Sequence, residues 1–143
     1  MSATGRRWLG TTVIVVAALV YLVLAVMGAR NLEDVWAIWT VYLLYALVGG
    51  LVLRHSARNP IGIFVAVMGV VPLLGNLAEV AAADGAPPGF FGDLVLWIYL
   101  WYFDTFLGAF VALFHVFPTG RAMPGVWRWW YRIALIGSGF LVL

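Results

Sequence analysis

The sequence is dominated by long apolar runs separated by short polar segments. Four runs are long enough to cross the roughly 30 Å hydrocarbon core of a bilayer as helices. They cover residues 8–28, 35–53, 60–80 and 94–117. A fifth run, residues 130–143, allows only about 20 Å of helix. Because the runs are continuous rather than alternating, helices are favoured over a transmembrane β-barrel. We predict one all-α, polytopic membrane helical bundle over residues 1–143, with four full transmembrane helices and an incomplete fifth.

Composition points to a lipid environment and excludes several classes of function. Of the 143 residues 65% are hydrophobic and 10% charged, whereas a soluble chain is about 25% charged. Without cysteine there is no disulfide, thiolate nucleophile or cysteine metal site, and two isolated histidines do not form a zinc site. The basic residues are all arginines, scattered without a basic patch. We therefore expect no metal, no cofactor and no nucleic-acid partner.

The distribution of the arginines predicts the orientation in the membrane. Seven of the eight arginines lie on one side of the predicted spans. Only Arg30 lies on the other side, where the acidic loop residues are. By the positive-inside rule the N-terminus and the loops 54–59 and 118–129 are cytoplasmic. A secretory signal is the alternative for Arg6-Arg7 and the first run, but that run is too long and further spans follow it. The seven arginines on the predicted cytoplasmic side are Arg6, Arg7, Arg54, Arg58, Arg121, Arg128 and Arg132.

The two arginine-rich loops carry the clearest local patterns. In the first, Asn59 is a good helix N-cap and Pro60 suits the first helical position. A capped turn explains this segment, and a dedicated binding role is the alternative. The second, residues 117–125, holds two prolines and two glycines, which end the fourth helix. The tryptophans and arginines of residues 127–132 then indicate an interfacial belt, with single-stranded nucleic-acid binding as the less favoured alternative.

Asp104 lies in the middle of the fourth predicted span, where a charge costs roughly 2.5–3.5 kcal/mol on insertion scales. Helical spacing places it on one face with Trp97, Trp101, Gly108 and His115. We interpret His115 as an interfacial residue whose polar tip reaches water, with titration near neutral pH as the alternative. This face and the third span are the two candidates for the place where a stimulus acts.

Three other polar residues are predicted within reach of Asp104. Asn76 and Tyr45 lie at a similar depth, and Glu79 lies nearer the outer end of its span. Pro72 should kink the same span as Asn76. Two interpretations stay open: a polar site at Asp104, Asn76, Tyr45 and Glu79 that binds a ligand or relays a signal, or a hydrogen bond from Asp104 to Asn76 or Tyr45 that only joins helices.

The two loops together resemble a known membrane region. The segment R-x-x-x-R-N-P-I-G, from Arg54 to Gly62, follows the second span. The segment F-P-T-G-R, which contains Pro118, Gly120 and Arg121, follows the fourth. This pair resembles the N-terminal multi-pass region of actinobacterial-type sensor histidine kinases of two-component systems. The resemblance covers most of the chain and implies a bacterial inner-membrane location.

The resemblance implies a membrane input module that signals to a dimerisation helix, a phosphoacceptor histidine and an ATP-binding domain. These parts are not in the 143 residues, so we assign no catalytic residue and expect the chain to be a piece of a longer protein. Homodimerisation and a response-regulator partner would then belong to that parent. The alternatives are a small transporter or channel component that uses Asp104, and a structural membrane protein.

Overall fold

The computed structural model describes residues 3–28, 35–83, 85, 88–117, 119, 121 and 124–140. Within these ranges the secondary structure is entirely helical. Four of the helices are long and apolar enough to cross a membrane, so the predicted all-α polytopic membrane bundle is confirmed. The helices are α1 (Ala3–Gly28), α2 (Val35–His55), α3 (Pro60–Ala83), α4 (Phe90–Val116) and α5 (Val126–Phe140).

Three helices begin earlier than the apolar runs predict, and the first of them, α1, begins at Ala3 rather than at 8. α4 begins at Phe90 rather than at 94, and α5 at Val126 rather than at 130. Each of these last two follows a glycine with a positive φ, 89° at Gly89 and 73° at Gly125, which is a conformation that suits glycine. The carbonyl of Gly89 accepts a hydrogen bond from the Asp93 amide at 3.1 Å. Hydropathy alone does not assign these first turns to the helices, because they contain charged residues or glycine.

α3 lies at the centre of the bundle. It packs against α1, α2 and α4, while α5 packs against α4. Consecutive helices are joined by short connections and run in opposite directions. Pro72, predicted to kink α3, lies inside this helix and is fully buried. The core between α1, α2 and α3 is formed by Ala17, Leu24, Trp39, Ala46 and Leu73.

Small residues bring α2 and α3 into close contact. Gly49 lies against the backbone of Ala66, where a Cβ on the glycine would sit 2.6 Å from the Ala66 Cα. Gly69 lies in the same way against Ala46, again with 2.6 Å to the Cα. Because lipid is as apolar as the side chains, helices in membranes associate through such close packing. The helices α2 and α3 are therefore in backbone contact at two levels.

α4 is attached differently. Its backbone packs against α3 and α5, and Tyr102 covers Gly75 of α3. A ring contact between Phe106 and Tyr42, with centroids 6.0 Å apart, reaches α2. In the most apolar stretch of α4 only 6% of residues are buried, against 50% in α3. Most of α4 thus faces away from the other described helices.

Candidate functional site

The arginines described by the structure gather at one end of the bundle, which we call the arginine-rich end. The alternating helix directions bring together there the start of α1, the α2–α3 turn, the α4–α5 turn and the start of α5. Arg54 also lies against Gly10 of α1 through its side-chain stem. Arg30 and the acidic residues Glu33, Asp34 and Asp84, which follow it in the chain, lie outside the described residues. The exposed arginines at this end are Arg7, Arg54, Arg58, Arg121, Arg128 and Arg132.

The α2–α3 turn is built as the sequence predicts. The Oδ1 of Asn59 accepts a hydrogen bond from the Ile61 amide at 3.0 Å, which caps α3. Pro60 occupies the first helical position. Gly62 is buried against Val52, and a Cβ there would lie 2.6 Å from Val52 Cγ1. Asn59, Pro60 and Gly62 therefore have local structural roles, and the exposed basic residues of the motif are Arg54 and Arg58.

The α4–α5 turn begins where α4 ends at Val116. Phe117 is extended, with φ −78° and ψ 143°, and its amide donates to the Leu113 carbonyl at 2.9 Å. Arg121 is exposed, and the Thr119 hydroxyl lies 3.3 Å from its backbone amide. Pro118 and Gly120 of the predicted motif lie outside the described residues.

Aromatic residues cover the start of α5. Trp127, Trp129 and Trp130 are all exposed, as a belt at the membrane surface requires. The Arg132 guanidinium carbon lies 5.6 Å from the centroid of Trp129, which is a cation–π distance. Trp127 lies 6.3 Å from the ring of His115, so the aromatic start of α5 contacts the end of α4.

Asn76 joins two helices, but its partner is not Asp104. Its Oδ1 accepts a hydrogen bond of 2.9 Å from the Trp39 indole of α2, and its Nδ2 donates to the Pro72 carbonyl at 2.7 Å. The side chain is 9% exposed. Trp39 in turn packs edge-on against Trp36 at 5.5 Å. Asn76 thus forms an interhelical hydrogen bond at the predicted depth. Its partner is the Trp39 indole of α2 and not the predicted Asp104 carboxyl group of α4.

Tyr45 and Glu79 lie on other surfaces. Tyr45 is 37% exposed on α2, and the backbones of α2 and α4 do not approach within 8 Å in the described ranges. Glu79 is exposed near the end of α3 opposite the arginine-rich end, close enough to Tyr102 of α4 for an electrostatic interaction. No hydrogen bond among the described residues connects Asp104 with Asn76, Tyr45 or Glu79.

Asp104 is partly exposed on α4. In the part of the chain that the structure describes, its carboxylate has no hydrogen bond and no ion pair. It lies beside the buried seam of α4, which contains Gly108, Ala109 and Ala112. The seam packs α4 onto its neighbours, and Asp104 borders it without being part of it.

Two features of the site are missed by sequence reasoning. One is Trp39 as the partner of Asn76, and the other is Tyr102, which seals Gly75 and lies near Glu79. Only helix packing determines these pairs, and the sequence contains no spacing that would reveal them. The described residues also contain no group of three or more histidines and acids able to hold a metal ion.

No protein-family model matches the chain, and comparison with curated proteins and with solved structures finds no similar protein.

Proposed function

We propose that this chain is the membrane input and anchoring module of a bacterial two-component sensor histidine kinase. In this proposal the N-terminus and the arginine-rich end face the cytoplasm. The supporting observation is that the two segments that carry the resemblance, at Arg58 to Gly62 and at Arg121, lie at the same end of one bundle. That end also holds the exposed arginines, as cytoplasmic loops of membrane proteins do.

The helix arrangement supports a route for the signal. A stimulus shifts a conformational equilibrium only if it favours one packing over another. α1, α2 and α3 share a hydrophobic core, whereas α4 packs along α3 outside that core and forms a hairpin with α5. Because His115 contacts Trp127, a movement of α4 against α3 would carry the start of α5 with it. The α4–α5 hairpin is therefore the element that we propose to move.

The direction of α5 determines on which side of the membrane a following domain would lie. α5 begins at the arginine-rich end and runs back along α4. A domain attached after a completed fifth span would emerge on the opposite side of the membrane. A cytoplasmic kinase domain in a longer protein therefore needs one further crossing, which makes the number of spans even. Dimerisation and response-regulator contacts would be made by that domain.

The test of this proposal starts from the coding frame beyond Leu143. We expect it to encode the rest of the fifth span, a sixth span, a helix with a phosphoacceptor histidine and an ATP-binding domain. The full protein, reconstituted in liposomes with ATP, should then label itself with phosphate on histidine. The same protein with that histidine changed to glutamine is the control and should not be labelled. A full-length protein that lacks these domains contradicts the proposal.

A second candidate function follows from Asp104 itself. A partly exposed acid in mid-span, without a partner in the described helices, is also what a proton or cation pathway uses. A small transporter or channel component would then be the alternative. Ion flux into liposomes should be present with the wild-type chain and lost in Asp104→Asn. The matched control is Asp93→Asn, which alters an exposed acid in the first turn of the same helix.

A further inference from the structure

We infer that the α4 face around Asp104 is a binding site for a lipophilic organic cation. The face consists of Asp104 with Trp101 and Trp97, three and seven residues before it. The inference does not depend on a kinase output, because such a site would serve a sensor and a transporter equally. It concerns the chemistry that the side chains recognise.

The position of Asp104 sets the physical conditions of the site. It lies about 21 Å along the helix from Phe90 and about 18 Å from Val116, by the helical rise. Asp104 is thus in the middle of the span, where a carboxylate is costly unless a partner compensates its charge. Among the described residues that partner is missing. A positively charged ligand would supply it.

The two tryptophans supply the second recognition element. Side chains on a helix lean towards its N-terminus, so the Asp104 carboxylate leans towards Trp101. Trp97 is 45% exposed and Trp101 is half-buried. Neither indole belongs to a ring pair within the described part of the chain, although many other aromatic residues of the bundle do. Tryptophan is the side chain with the strongest cation–π attraction, and both rings remain available for it.

The same face disfavours other ligands. A small metal ion needs several oxygen or nitrogen ligands, and no group of three histidines or acids occurs in the described residues. A neutral lipid chain would leave the carboxylate without a counter-charge. An organic cation with an apolar body needs little hydration, pairs with one carboxylate and contacts aromatic rings.

The test uses two probes of the same size and shape but opposite charge, tetraphenylphosphonium and tetraphenylborate. The wild-type chain is placed in nanodiscs of zwitterionic phosphatidylcholine, and bound probe is measured by equilibrium dialysis against empty nanodiscs. We expect saturable binding of the phosphonium ion and no binding of the borate above the lipid background. Equal binding of both probes overturns the inference, because charge would then play no part.

Variants of the face locate the site. Asp104→Asn should weaken phosphonium binding by about tenfold or more, which is the scale of one partly desolvated charge interaction. Trp101→Leu and Trp97→Leu should each weaken it by about three- to tenfold, on the scale of a cation–π contact. The control Asp93→Asn, on the same helix, should bind as the wild type does. Unchanged affinity in Asp104→Asn overturns the inference.

Folding of each variant is checked by circular dichroism and size-exclusion chromatography. If Asp104→Asn does not fold, Asp104→Glu decides, because it keeps the charge and should keep phosphonium binding within about threefold. Loss of binding in a folded Asp104→Glu together with unchanged binding in both tryptophan variants overturns the inference. Phosphorylation of a full-length kinase is a separate readout, so failure of this binding test and failure of the proposed function are distinguishable.

Discussion

The α2–α3 pair and α4 use polar residues in opposite ways. Asn76 of α3 is buried, and both polar atoms of its side-chain amide form hydrogen bonds. One of these bonds joins it to Trp39 of α2. Asp104 of α4 is partly exposed and has no such partner among the described residues. One polar residue at membrane depth therefore stabilises the packing of two helices, and the other is left for a further interaction.

Glycine positions show the same difference. Gly49 and Gly69 bring the backbones of α2 and α3 together at two levels. Between α3 and α4, Gly75 is covered by the large Tyr102 ring. Because a ring can change rotamer and a backbone cannot, we expect the α3–α4 contact at Gly75 to shift at lower cost than the α2–α3 contacts at Gly49 and Gly69. We expect α1 to α3 to behave as one unit and α4 with α5 as a second.

A substitution at Gly69 tests this contrast most directly. Gly69→Leu forces a side chain into the Ala46 backbone, and we expect a loss of about 3 kcal/mol in the free energy of unfolding, the scale of overpacking. Unfolding by SDS in mixed micelles, followed by circular dichroism, measures this loss. The matched control Ala37→Leu lies on an exposed surface of α2 and should change little. A loss below about 1 kcal/mol in Gly69→Leu would show that the contact is not tight.

The buried hydrogen bond gives the next largest effect. Asn76→Ala leaves the Trp39 indole without its acceptor, and we expect a cost of about 2 kcal/mol in unfolding free energy. A double-mutant cycle with Trp39→Phe isolates the pair, with an expected coupling of about 1 kcal/mol. Additive effects of the two substitutions would mean that the bond contributes nothing to helix association.

The cap of α3 contributes less. Asn59→Ala removes the acceptor of the Ile61 amide, and we expect the chain to lose about 1 kcal/mol of stability. Ser56→Ala in the same turn is the control, because only backbone atoms of Ser56 form hydrogen bonds among the described residues. The same SDS titration measures both variants. Equal losses in the two would remove the capping role.

Asp104→Asn should have the smallest effect on folding. The described helices give the carboxylate no partner, and the cost of a charge in an apolar medium applies to the folded and the SDS-unfolded helices alike. Its replacement should therefore change the unfolding free energy by less than about 0.5 kcal/mol. Asp93→Asn, in the same assay, sets the scale for an exposed acid. A loss above about 1.5 kcal/mol in Asp104→Asn would mean that the acid holds helices together, and the contrast with Asn76 would fail.

Local chemistry explains which parts of this structure the sequence predicts. Run length predicts the four spans, and the order Asn59-Pro60 predicts the start of α3, because both depend on neighbouring residues. The starts of α4 and α5 are wrong by four residues, because glycines rather than hydropathy set them. The packing partners are not predictable in the same way: lipid-facing and helix-facing residues are equally apolar, so no amphipathic pattern marks the contacts. Trp39 as the donor to Asn76 is one such case.

Distances between helices in a bilayer test the central division of the bundle most directly. The chain has no cysteine, so paired cysteines can be introduced for spin labels without background. The exposed sites Thr12, Ile63 and Phe114 lie towards the arginine-rich ends of α1, α3 and α4. Pulsed electron paramagnetic resonance in nanodiscs compares Thr12–Ile63 with Ile63–Phe114. We predict a narrow distance distribution for the α1–α3 pair and a broader one for the α3–α4 pair. Equal widths, or a broader α1–α3 distribution, would contradict the division into a close-packed unit and a movable hairpin.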